Sequence, residues 1–515
     1  MSAKDKGALL SGTRPADYGT APPASAAAHG SADVAPPRRA TWVTASQIII
    51  ADVVGLGVMG MASGMAQLGW LLGIFFCLMM LPLNVSCGLM VWEAQVDAYP
   101  GTLSLADISR AAHGECAGLF TGIVTYSFIL FTLSDYVLAL GLCLDQLIYG
   151  TGLSQTAWTL IAALTLLPFA QVRTLNETRL LLWVNTASIV VAVGLCLGHL
   201  LWQGRAASLA ESGGQTHLVA EGLTWEGLTS GVSKFAFAYV GVLMYPEIVC
   251  EMADPREFDK ALYATAPFQV GAFMLVGCIG YAYLGDAARG LLTSALPEGP
   301  YSQAAAGALY VHLLITYLIK GTVLARFLHR KLSPSTVNDT SARGQLVWLA
   351  VTTGLLLLCC CVALAVPAFD ELTSLVGSIQ TPLLGFAVPA VLLYTARRHT
   401  GRAMSTLTLV ALGGVLAFGV VFAAAGTAAS TIDIIDLWRE EENEQLPPPP
   451  PPAAAPPGEA AAAAAAASLR QVAHASKGAA ARFAYGRLTW ARSIAESAAA
   501  AGYTYGLSIG SNPDI

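Results

Sequence analysis

Long apolar stretches constrain this chain more than any other feature of its sequence. A helix that crosses a bilayer needs about 20 mostly apolar residues. Hydrophobic residues make up 55% of the 515 residues and charged residues only 12%, whereas a soluble domain has about 25% charged residues. These values exclude an ordinary soluble enzyme and a disordered chain, and the net charge of −6 gives no reason to expect a nucleic-acid partner. The sequence therefore predicts an all-α membrane protein with eleven transmembrane helices. Their predicted spans are 43–67, 70–92, 117–147, 154–172, 179–202, 230–251, 261–284, 303–328, 345–367, 372–395 and 404–428.

The same pattern divides the chain into three parts. Residues 1–42 are rich in Ala, Pro, Gly and Ser and predict a disordered cytoplasmic tail. Residues 43–435 contain the apolar stretches and form the predicted transmembrane domain. Residues 436–515 begin with an acidic stretch, continue through a proline run and end in an Ala-rich segment. A proline run is a stiff, extended spacer, so this part is predicted to be a C-terminal tail.

Lys and Arg residues are distributed unevenly between the two sides of the predicted bundle. With the N-terminus inside, the inside segments hold seventeen Lys and Arg residues, whereas the outside loops hold only Arg205 and Arg289. Cytoplasmic loops carry an excess of these residues. The bias predicts a cytoplasmic N-terminus and an extracellular or lumenal C-terminus. It does not distinguish the plasma membrane from a vacuolar membrane or another endomembrane.

The first predicted helix contains a cluster of glycines at membrane depth. Gly55, Gly57, Gly60 and Gly64 fall within ten residues. Glycine weakens a helix and permits unusual backbone angles. Lipid cannot satisfy freed backbone groups, so an unwound stretch must line a cavity or be buried in protein. Close packing of two helices through small residues is the alternative explanation.

A second interruption occurs in the sixth predicted helix. Gly241 and Pro246 break that helix, and Glu247 follows directly. A pair of interrupted helices at corresponding positions in two halves indicates a transporter site. Five helices separate the two breaks, and this odd number gives the two halves opposite orientations. We therefore predict a 5+5 inverted repeat with broken helices 1 and 6, plus one extra helix. Amides and carbonyls freed at the breaks suit the carboxylate and ammonium groups of an amino acid.

Several ordered motifs resemble one transporter family. The first helix reads VVGLGVMGMASGMAQLGW, the sixth contains FAFAY, MADPREFDKAL leads into the seventh, and AVPAFDELTSLVGS lies near the tenth. Over residues 41–428 the chain resembles the amino acid/auxin permease family, which includes plant amino acid permeases and animal system A and vesicular transporters. The resemblance implies a secondary transporter of amino acids with substrate between helices one and six. We expect Gly55, Gly57, Gly60, Tyr239 and Gly241 to bind substrate.

The chain departs from the plant branch of that family at two positions. Leu142 stands where the plant branch usually carries a lysine in the third helix, and Lys234 replaces an acidic residue before FAFAY. The substrate preference of the plant branch therefore does not transfer to this chain. We expect Lys234 to extend its ammonium group to the membrane surface.

Four ionisable residues at membrane depth are the candidates for ion coupling or for clamping the substrate ammonium group. A charge at the centre of a membrane helix costs roughly 2.5–3.5 kcal/mol, so such residues are functional hypotheses by default. Asp52 could hold the substrate ammonium, exchange a proton, or tie helices together as a neutral acid. Glu247 could serve the same roles or pair with a basic residue, and Asp135 fits a structural and a functional role equally. Lys320 either extends to the surface or places its ammonium where a sodium ion would sit, which favours proton coupling.

These observations predict a proton-coupled amino acid transporter that works by alternating access. The alternatives are a sodium-coupled symporter and an amino acid sensor that keeps the transporter fold. No catalytic or metal-binding motif is present, so neither an enzyme nor a cofactor is expected. The predicted partners are the amino acid, the coupling ion and the lipid bilayer. The sequence does not specify protein partners, the transported amino acid or the direction of coupling.

Overall fold

The computed structural model describes residues 38, 40–173, 178–288, 290–337, 339, 341–366 and 368–445. These residues form helices and connecting loops without a β-strand, apart from one isolated parallel bridge between Ala40 and Met252. The predicted N-terminal tail before residue 38 and the C-terminal tail after residue 445 lie outside the described residues. The helices are α1 (Trp42–Val53), α2 (Leu56–Met59), α3 (Met61–Glu93), α4 (Leu105–His113), α5 (Glu115–Leu147), α6 (Gln155–Phe169), α7 (Thr178–Gln203), α8 (Arg205–Ser212), α9 (Trp225–Tyr239), α10 (Tyr245–Glu251), α11 (Phe258–Leu284), α12 (Pro300–Leu332), α13 (Ala342–Ala365), α14 (Phe369–Pro382), α15 (Val388–His399) and α16 (Thr406–Gln445).

Within this part of the chain, eight helical runs are long and apolar enough to cross a membrane. Two further apolar helices, α1 and α6, are shorter than a full span. The predicted first and sixth spans are divided into shorter helices, so length and composition alone yield fewer than the eleven predicted spans. The eight runs are Met61–Ala98, Glu115–Leu147, Leu180–Gln203, Pro255–Ala287, Pro300–Leu332, Ala342–Ala365, Phe369–His399 and Thr406–Arg439.

The glycine-rich opening of the bundle is interrupted twice. Helix α1 ends at Val53, and Gly55 adopts φ −133° and ψ −131° before α2 begins. The short helix α2 ends at Met59, and Gly60 separates it from α3, which begins at Met61. Such a break frees backbone groups that the helix would otherwise pair, and these residues are buried in protein rather than exposed to lipid.

Gly69 divides α3 into two segments that point in different directions. Its φ of +78° lies in the left-handed region, which glycine adopts without strain. A Cβ atom at this position would lie 2.8 Å from the amide nitrogen of Ala220, because the loop before α9 passes directly over the turn. That loop pairs with the turn through backbone hydrogen bonds from Trp70 to His217 and from Leu71 to Leu218. The turn lies between the predicted first and second spans, which end at residue 67 and begin at residue 70.

The second break separates α9 from α10. Helix α9 ends at Tyr239, and residues 240–244 form the connection to α10. Gly241 lies in this connection, as the sequence predicts. Pro246 lies in the first turn of α10 instead of interrupting a helix. A proline is tolerated there because its missing N–H would have no partner within the helix.

The packing of the helices surrounds these two breaks with protein. Helix α9 packs against α2, α3, α14 and α16, while α5 packs against α6, α12, α13 and α14. Helices α14 and α15 are joined by a π-helical turn and form one run from Phe369 to His399. Helix α16 begins near the predicted residue 404 and continues through residue 436, where the sequence predicts the C-terminal tail to start.

Candidate functional site

A small cavity of about 20 Å³ lies where the two broken helices meet α5 and α12. Most of its lining is apolar or aromatic, and the carboxyl group of Asp52 and the ammonium group of Lys320 supply the charges. Small-molecule sites generally have this composition, with a few placed polar groups in an apolar wall. The lining residues are Asp52, Val53, Leu56, Gly57, Phe128, Thr132, Tyr136, Phe237, Ala238, Val240 and Lys320.

Asp52 and Lys320 form an ion pair at this cavity. The Lys320 Nζ atom lies 3.1 Å from Asp52 Oδ1, and the two side chains are 11% and 17% exposed respectively. The same ammonium group lies 5.8 Å from the centre of the Tyr136 ring. Lys320 therefore points into the protein between α1, α5 and α12, and the alternative that it extends to the membrane surface is wrong. A buried ion gains most from a partner of opposite charge, which each of these residues supplies to the other.

Gly57 allows the two breaks to come into contact. A Cβ atom on Gly57 would lie 2.7 Å from Ala238 Cα and 2.9 Å from Ala238 Cβ. Real Cβ atoms do not approach a backbone atom this closely, so a larger residue would push the segments apart. Gly241 is similarly close to its surroundings, with a built Cβ 2.7 Å from the hydroxyl of Tyr245 and 2.9 Å from Val53. The sequence suggested two explanations for the glycine cluster, an unwound stretch or close packing through small residues. Both are present here, because the close contact lies beside the breaks.

The other predicted substrate residues do not line the cavity. Gly55 lies beside His312, and Gly60 lies beside Phe369. The ring of Tyr239 packs edge-to-face on Phe273, with ring centres 4.7 Å apart, and its hydroxyl lies 3.8 Å from Cys77 Sγ. Of the five predicted substrate-binding residues, Gly57 is therefore the one in the cavity wall.

A polar network behind the cavity ties the end of α1 to α7 and α12. The Asn185 side chain donates to the Ala51 carbonyl at 3.3 Å and accepts from the Thr316 hydroxyl at 3.1 Å. His312 Nδ1 lies 3.0 Å from the Asn185 carbonyl oxygen. The network fixes the backbone one residue before Asp52. Sequence reasoning did not single out Asn185, although an amide side chain in an apolar helix is a usable signal.

A second buried ion pair lies in the same bundle, and we call it the Lys234 cluster. Lys234 Nζ lies 2.9 Å from Asp370 Oδ1 and donates to the Ser63 hydroxyl at 2.7 Å. Asp370 also accepts hydrogen bonds from Ser63 and from the backbone N–H of Gly290, the latter at 2.8 Å. Lys234 is 1% exposed, so the expectation that it reaches the membrane surface is wrong. The cluster joins α3, α9, α14 and the loop before α12.

Asp135 directly precedes the cavity-lining residue Tyr136 in the sequence, and its side chain faces α14. It is fully buried, and its Oδ2 atom accepts a hydrogen bond from the Thr373 hydroxyl at 3.0 Å. Its Oδ1 atom has no hydrogen-bond partner among the described residues. Its neighbour in sequence, Tyr136, faces the cavity instead. Asp135 is thus separate from the Asp52–Lys320 pair.

Glu247 lies in the first turn of α10, away from the cavity lining. It is half-buried, and Glu251 and Arg330 are among its charged neighbours. The structure therefore pairs Asp52 with Lys320 and leaves Glu247 and Asp135 outside that ion pair, although Asp52 is among the charged groups near Glu247. Across the described ranges, no group of three His, Cys, Asp or Glu side chains is arranged to hold a metal ion.

Comparison with protein families identifies the group to which this architecture belongs. The profile of the family described as "Transmembrane amino acid transporter protein" matches residues 38–432, which include both breaks and the cavity. This chain belongs to that family. The resemblance to the amino acid/auxin permeases is thereby confirmed, and the chain is grouped with transporters rather than enzymes.

Individual relatives agree with the family assignment. The chain is 22% identical to the N amino acid transport system protein of Neurospora crassa over 426 residues, covering 77% of this chain and 86% of the relative. It is 24% identical over 391 residues to amino acid transporter AVT1B of Arabidopsis thaliana, covering 74% and 69% of the two chains. Amino acid transporter AVT3C of the same plant is 25% identical over 432 residues, with 78% and 93% covered.

A solved structure shows that the fold is also shared. The crystal structure of MhsT in complex with L-phenylalanine superposes with a TM-score of 0.51 at 14% identity. The match covers 76% of this chain and all of the MhsT chain. The family and this likeness establish an all-helical transporter fold that spans the membrane several times.

Proposed function

We propose that this chain is a secondary active transporter of amino acids that binds its substrate between Asp52 and Lys320. The observation that carries the proposal is the ion pair at the wall of the cavity between the two breaks. A free amino acid carries one ammonium and one carboxylate group. In the bound state, Asp52 holds the substrate ammonium and Lys320 holds the carboxylate. Each buried charge then keeps a partner of opposite sign, so substrate entry leaves no charge uncompensated.

The remaining cavity wall suits the rest of an amino acid. Phe128, Leu56 and Phe237 contribute apolar surface beside the two charged groups, which is the composition of a small-molecule site. This lining favours a substrate with an apolar side chain. The amino acid transporters among the relatives support the same substrate class.

The proposed architecture has eleven membrane crossings in a 5+5 inverted repeat, with α16 as the extra helix. In this arrangement α1 to α3 contain the first two crossings, divided at Gly69, and α9 with α10 forms the sixth. The two breaks, at residues 54–55 and 240–244, then occupy corresponding positions in the two repeats. Interrupted helices at matching positions are typical of transporters built from inverted repeats.

Two ion-pair networks near opposite ends of one helical run support alternating access. The Phe369–His399 run has 31 residues, which corresponds to about 46 Å at 1.5 Å per residue. Asp370 of the Lys234 cluster lies near its start. Arg397 lies near its end and pairs with Glu93 at 2.9 Å. Opening either end of the path to the cavity would require the ion pairs at that end to separate, while those at the other end remain closed.

The proposed orientation places the Arg397 end in the cytoplasm and the Lys234 cluster on the outer or lumenal side. The excess of Lys and Arg in the segments on the N-terminal side supports this orientation. The proposed coupling ion is the proton. Lys320 supports it because its ammonium group already provides a positive charge between α1 and α12, where it would repel a sodium ion.

Uptake into proteoliposomes tests this function. We expect the wild type to accumulate labelled amino acids under an imposed proton gradient without sodium. Asp52→Asn is expected to weaken substrate binding about 10- to 100-fold, since a hydrogen bond to a charged group contributes roughly 1.5–3 kcal/mol. Asp436→Asn is the matched control, because its carboxylate is 59% exposed on α16. N-acetylated amino acids and amino acid methyl esters, which each lack one charge, should compete poorly.

Other outcomes would contradict separate parts of the proposal. Accumulation that requires sodium would exclude proton coupling. Binding of amino acids without accumulation or exchange under either ion would indicate a sensor instead of a transporter. Equal substrate affinities of the Asp52→Asn and Asp436→Asn variants would exclude Asp52 as the group that holds the substrate ammonium.

A further inference from the structure

We propose that Asp135 binds the coupling proton and that this proton keeps the Lys234 cluster closed. The inference rests on the proposed function, because it assigns the ion that drives amino acid transport to one residue. If Asp52 and Lys320 hold the two charges of the substrate, the proton needs a different group. Asp135 is a carboxyl group separate from that pair, and it contacts the helix that carries Asp370.

The surroundings of Asp135 favour the protonated acid in the closed arrangement. The side chain is completely buried, with one hydrogen bond from Thr373 and one oxygen without a hydrogen-bond partner in the described part of the chain. The nearby lysines already have carboxylate partners, Asp52 for Lys320 and Asp370 for Lys234. A buried carboxylate without a cation is expensive, and protonation removes the charge. A hydroxyl group can accept a hydrogen bond from a protonated acid as well as donate one to a carboxylate, so Thr373 can bond to either form of Asp135.

The charged and titratable groups around Asp135 do not offset a negative charge there. From α14, Asp370 acts on it with a charge of the same sign. On its own helix, the next residue is Tyr136, and the Lys320 ammonium lies 5.8 Å from the centre of the Tyr136 ring. That ammonium is itself paired with Asp52. Ionised Asp135 would therefore lie near Asp370, a carboxylate whose lysine is already paired with it.

The contact between Asp135 and Thr373 links the proton to the Lys234 cluster. Asp370 and Thr373 are three residues apart on α14, so they lie on the same face of one helical turn. When Asp135 is ionised, this turn of α14 has two carboxylates beside it, those of Asp135 and Asp370. Lys234 can neutralise only one of them. Separation of α14 from α5 and α9 lets water reach both acids. Proton loss therefore favours opening at this end, and proton binding favours closure.

The proton balance of one cycle is simple. In the arrangement open at the Lys234 cluster, the Asp135 carboxylate takes one proton from water on that side. The neutral acid then permits α14 to close over the bound substrate. The proton returns to water on the opposite side of the membrane after the other end has opened. One proton thus crosses with each substrate, and no other reactant is needed.

Uptake and exchange by Asp135→Asn test the proton site. Asparagine is neutral at every pH and nearly isosteric with the acid. We expect this variant to exchange labelled for unlabelled amino acid at a rate close to the wild type, but to lose accumulation under a proton gradient. Asp436→Asn should retain both activities. Accumulation by Asp135→Asn at the level of Asp436→Asn would overturn the inference.

A binding measurement keeps the proposal testable if Asp135→Asn neither exchanges nor accumulates substrate. Substrate affinity of the detergent-purified wild type should change at least fivefold between pH 5 and pH 8. The same affinity should be independent of pH in Asp135→Asn and in Asp135→Leu, which needs no hydrogen-bond partner. Persistent pH dependence in these variants would overturn the assignment. A wild type that binds no amino acid at all would overturn the proposed function, and this inference with it.

Cysteine labelling tests the link to closure. Thr293 is fully buried in the loop that also carries Gly290. Its replacement by Cys, in a chain with Cys116→Ser and Cys361→Ser to remove the two thiols that are exposed among the described residues, reports opening at this end. Labelling by a water-soluble maleimide, corrected for the pH dependence of a free thiol, should accelerate as pH rises. Introducing Asp135→Asn should abolish that change, whereas a pH-dependent rate that persists with Asp135→Asn would refute the link.

Discussion

The Lys234–Asp370 pair provides a quantitative test of how the bundle is held together. Both groups are buried, and Asp370 makes four polar contacts with Lys234, Ser63 and the Gly290 amide. Lys234→Met leaves the carboxylate without its cation. Asp370→Asn leaves the Lys234 ammonium without its carboxylate, and the ammonium keeps its hydrogen bond to the Ser63 hydroxyl. Removing one partner of a buried ion pair typically costs about 3–5 kcal/mol, so we expect each variant to lose that much free energy of unfolding.

The double variant separates the cost of an unpaired charge from the value of the pair itself. Lys234→Met with Asp370→Asn contains no buried charge at this position. It loses the hydrogen bonds of the ammonium group, which contribute about 1 kcal/mol each. We therefore expect the double variant to lose only about 1–2 kcal/mol, less than either single variant. This non-additivity is the signature of a directly paired charge.

Reversible unfolding by SDS in mixed micelles, followed by circular dichroism, measures these differences. Lys260→Met is the matched control, because Lys260 pairs with Glu257 at the surface and its side chain is 56% exposed. That substitution should change stability far less than Lys234→Met. Additive losses in the double variant would refute the reasoning, since they would mean that Lys234 and Asp370 stabilise the protein independently.

Two other predictions concern the contact between the breaks and the orientation of the bundle. Gly57→Ala should cost about 1–3 kcal/mol of stability and reduce amino acid uptake, because the new Cβ would overlap Ala238. Gly271→Ala is the control, because its Cβ would meet nothing within 4 Å, and it should leave uptake unchanged. Equal effects of the two substitutions would contradict the proposed overlap. In a chain with Cys361→Ser, which removes the other thiol that is exposed among the described residues, Cys116 at the start of α5 should react with an impermeant maleimide only after sealed right-side-out vesicles are permeabilised. Labelling of intact vesicles would reverse the proposed orientation.

Local sequence patterns predicted most of the helical architecture. Long apolar runs dictate helices, because backbone groups in lipid must find their hydrogen bonds within the same segment. Glycines near residue 55 and at Gly241 marked the two interruptions, since glycine weakens a helix at its own position. The effect of Pro246 was predicted less accurately, because this residue was expected to break a helix and instead lies in the first turn of α10. A proline either breaks a helix or begins one, and which of these occurs depends on where the neighbouring turn packs.

The candidate site was predicted as a set of residue types but not as an arrangement. Asp52 and Lys320 were each unusual at membrane depth, yet no local pattern indicated that they form a pair. Lys234 was assigned to the surface because a long side chain can extend from a helix end to water. Its partner Asp370 was missed, because an acidic residue near the start of a helix is commonly a favourable surface charge.

The sequence by itself determined that the chain is a helical membrane protein of the amino acid transporter family, and where its helices are interrupted. Those properties depend on residues close together along the chain. Only the tertiary structure decided which charges meet, that Gly57 contacts Ala238, and that Asp135 faces α14 rather than the cavity. Such contacts join residues from distant helices, and their energies depend on distances of a few ångströms that become defined when the helices pack.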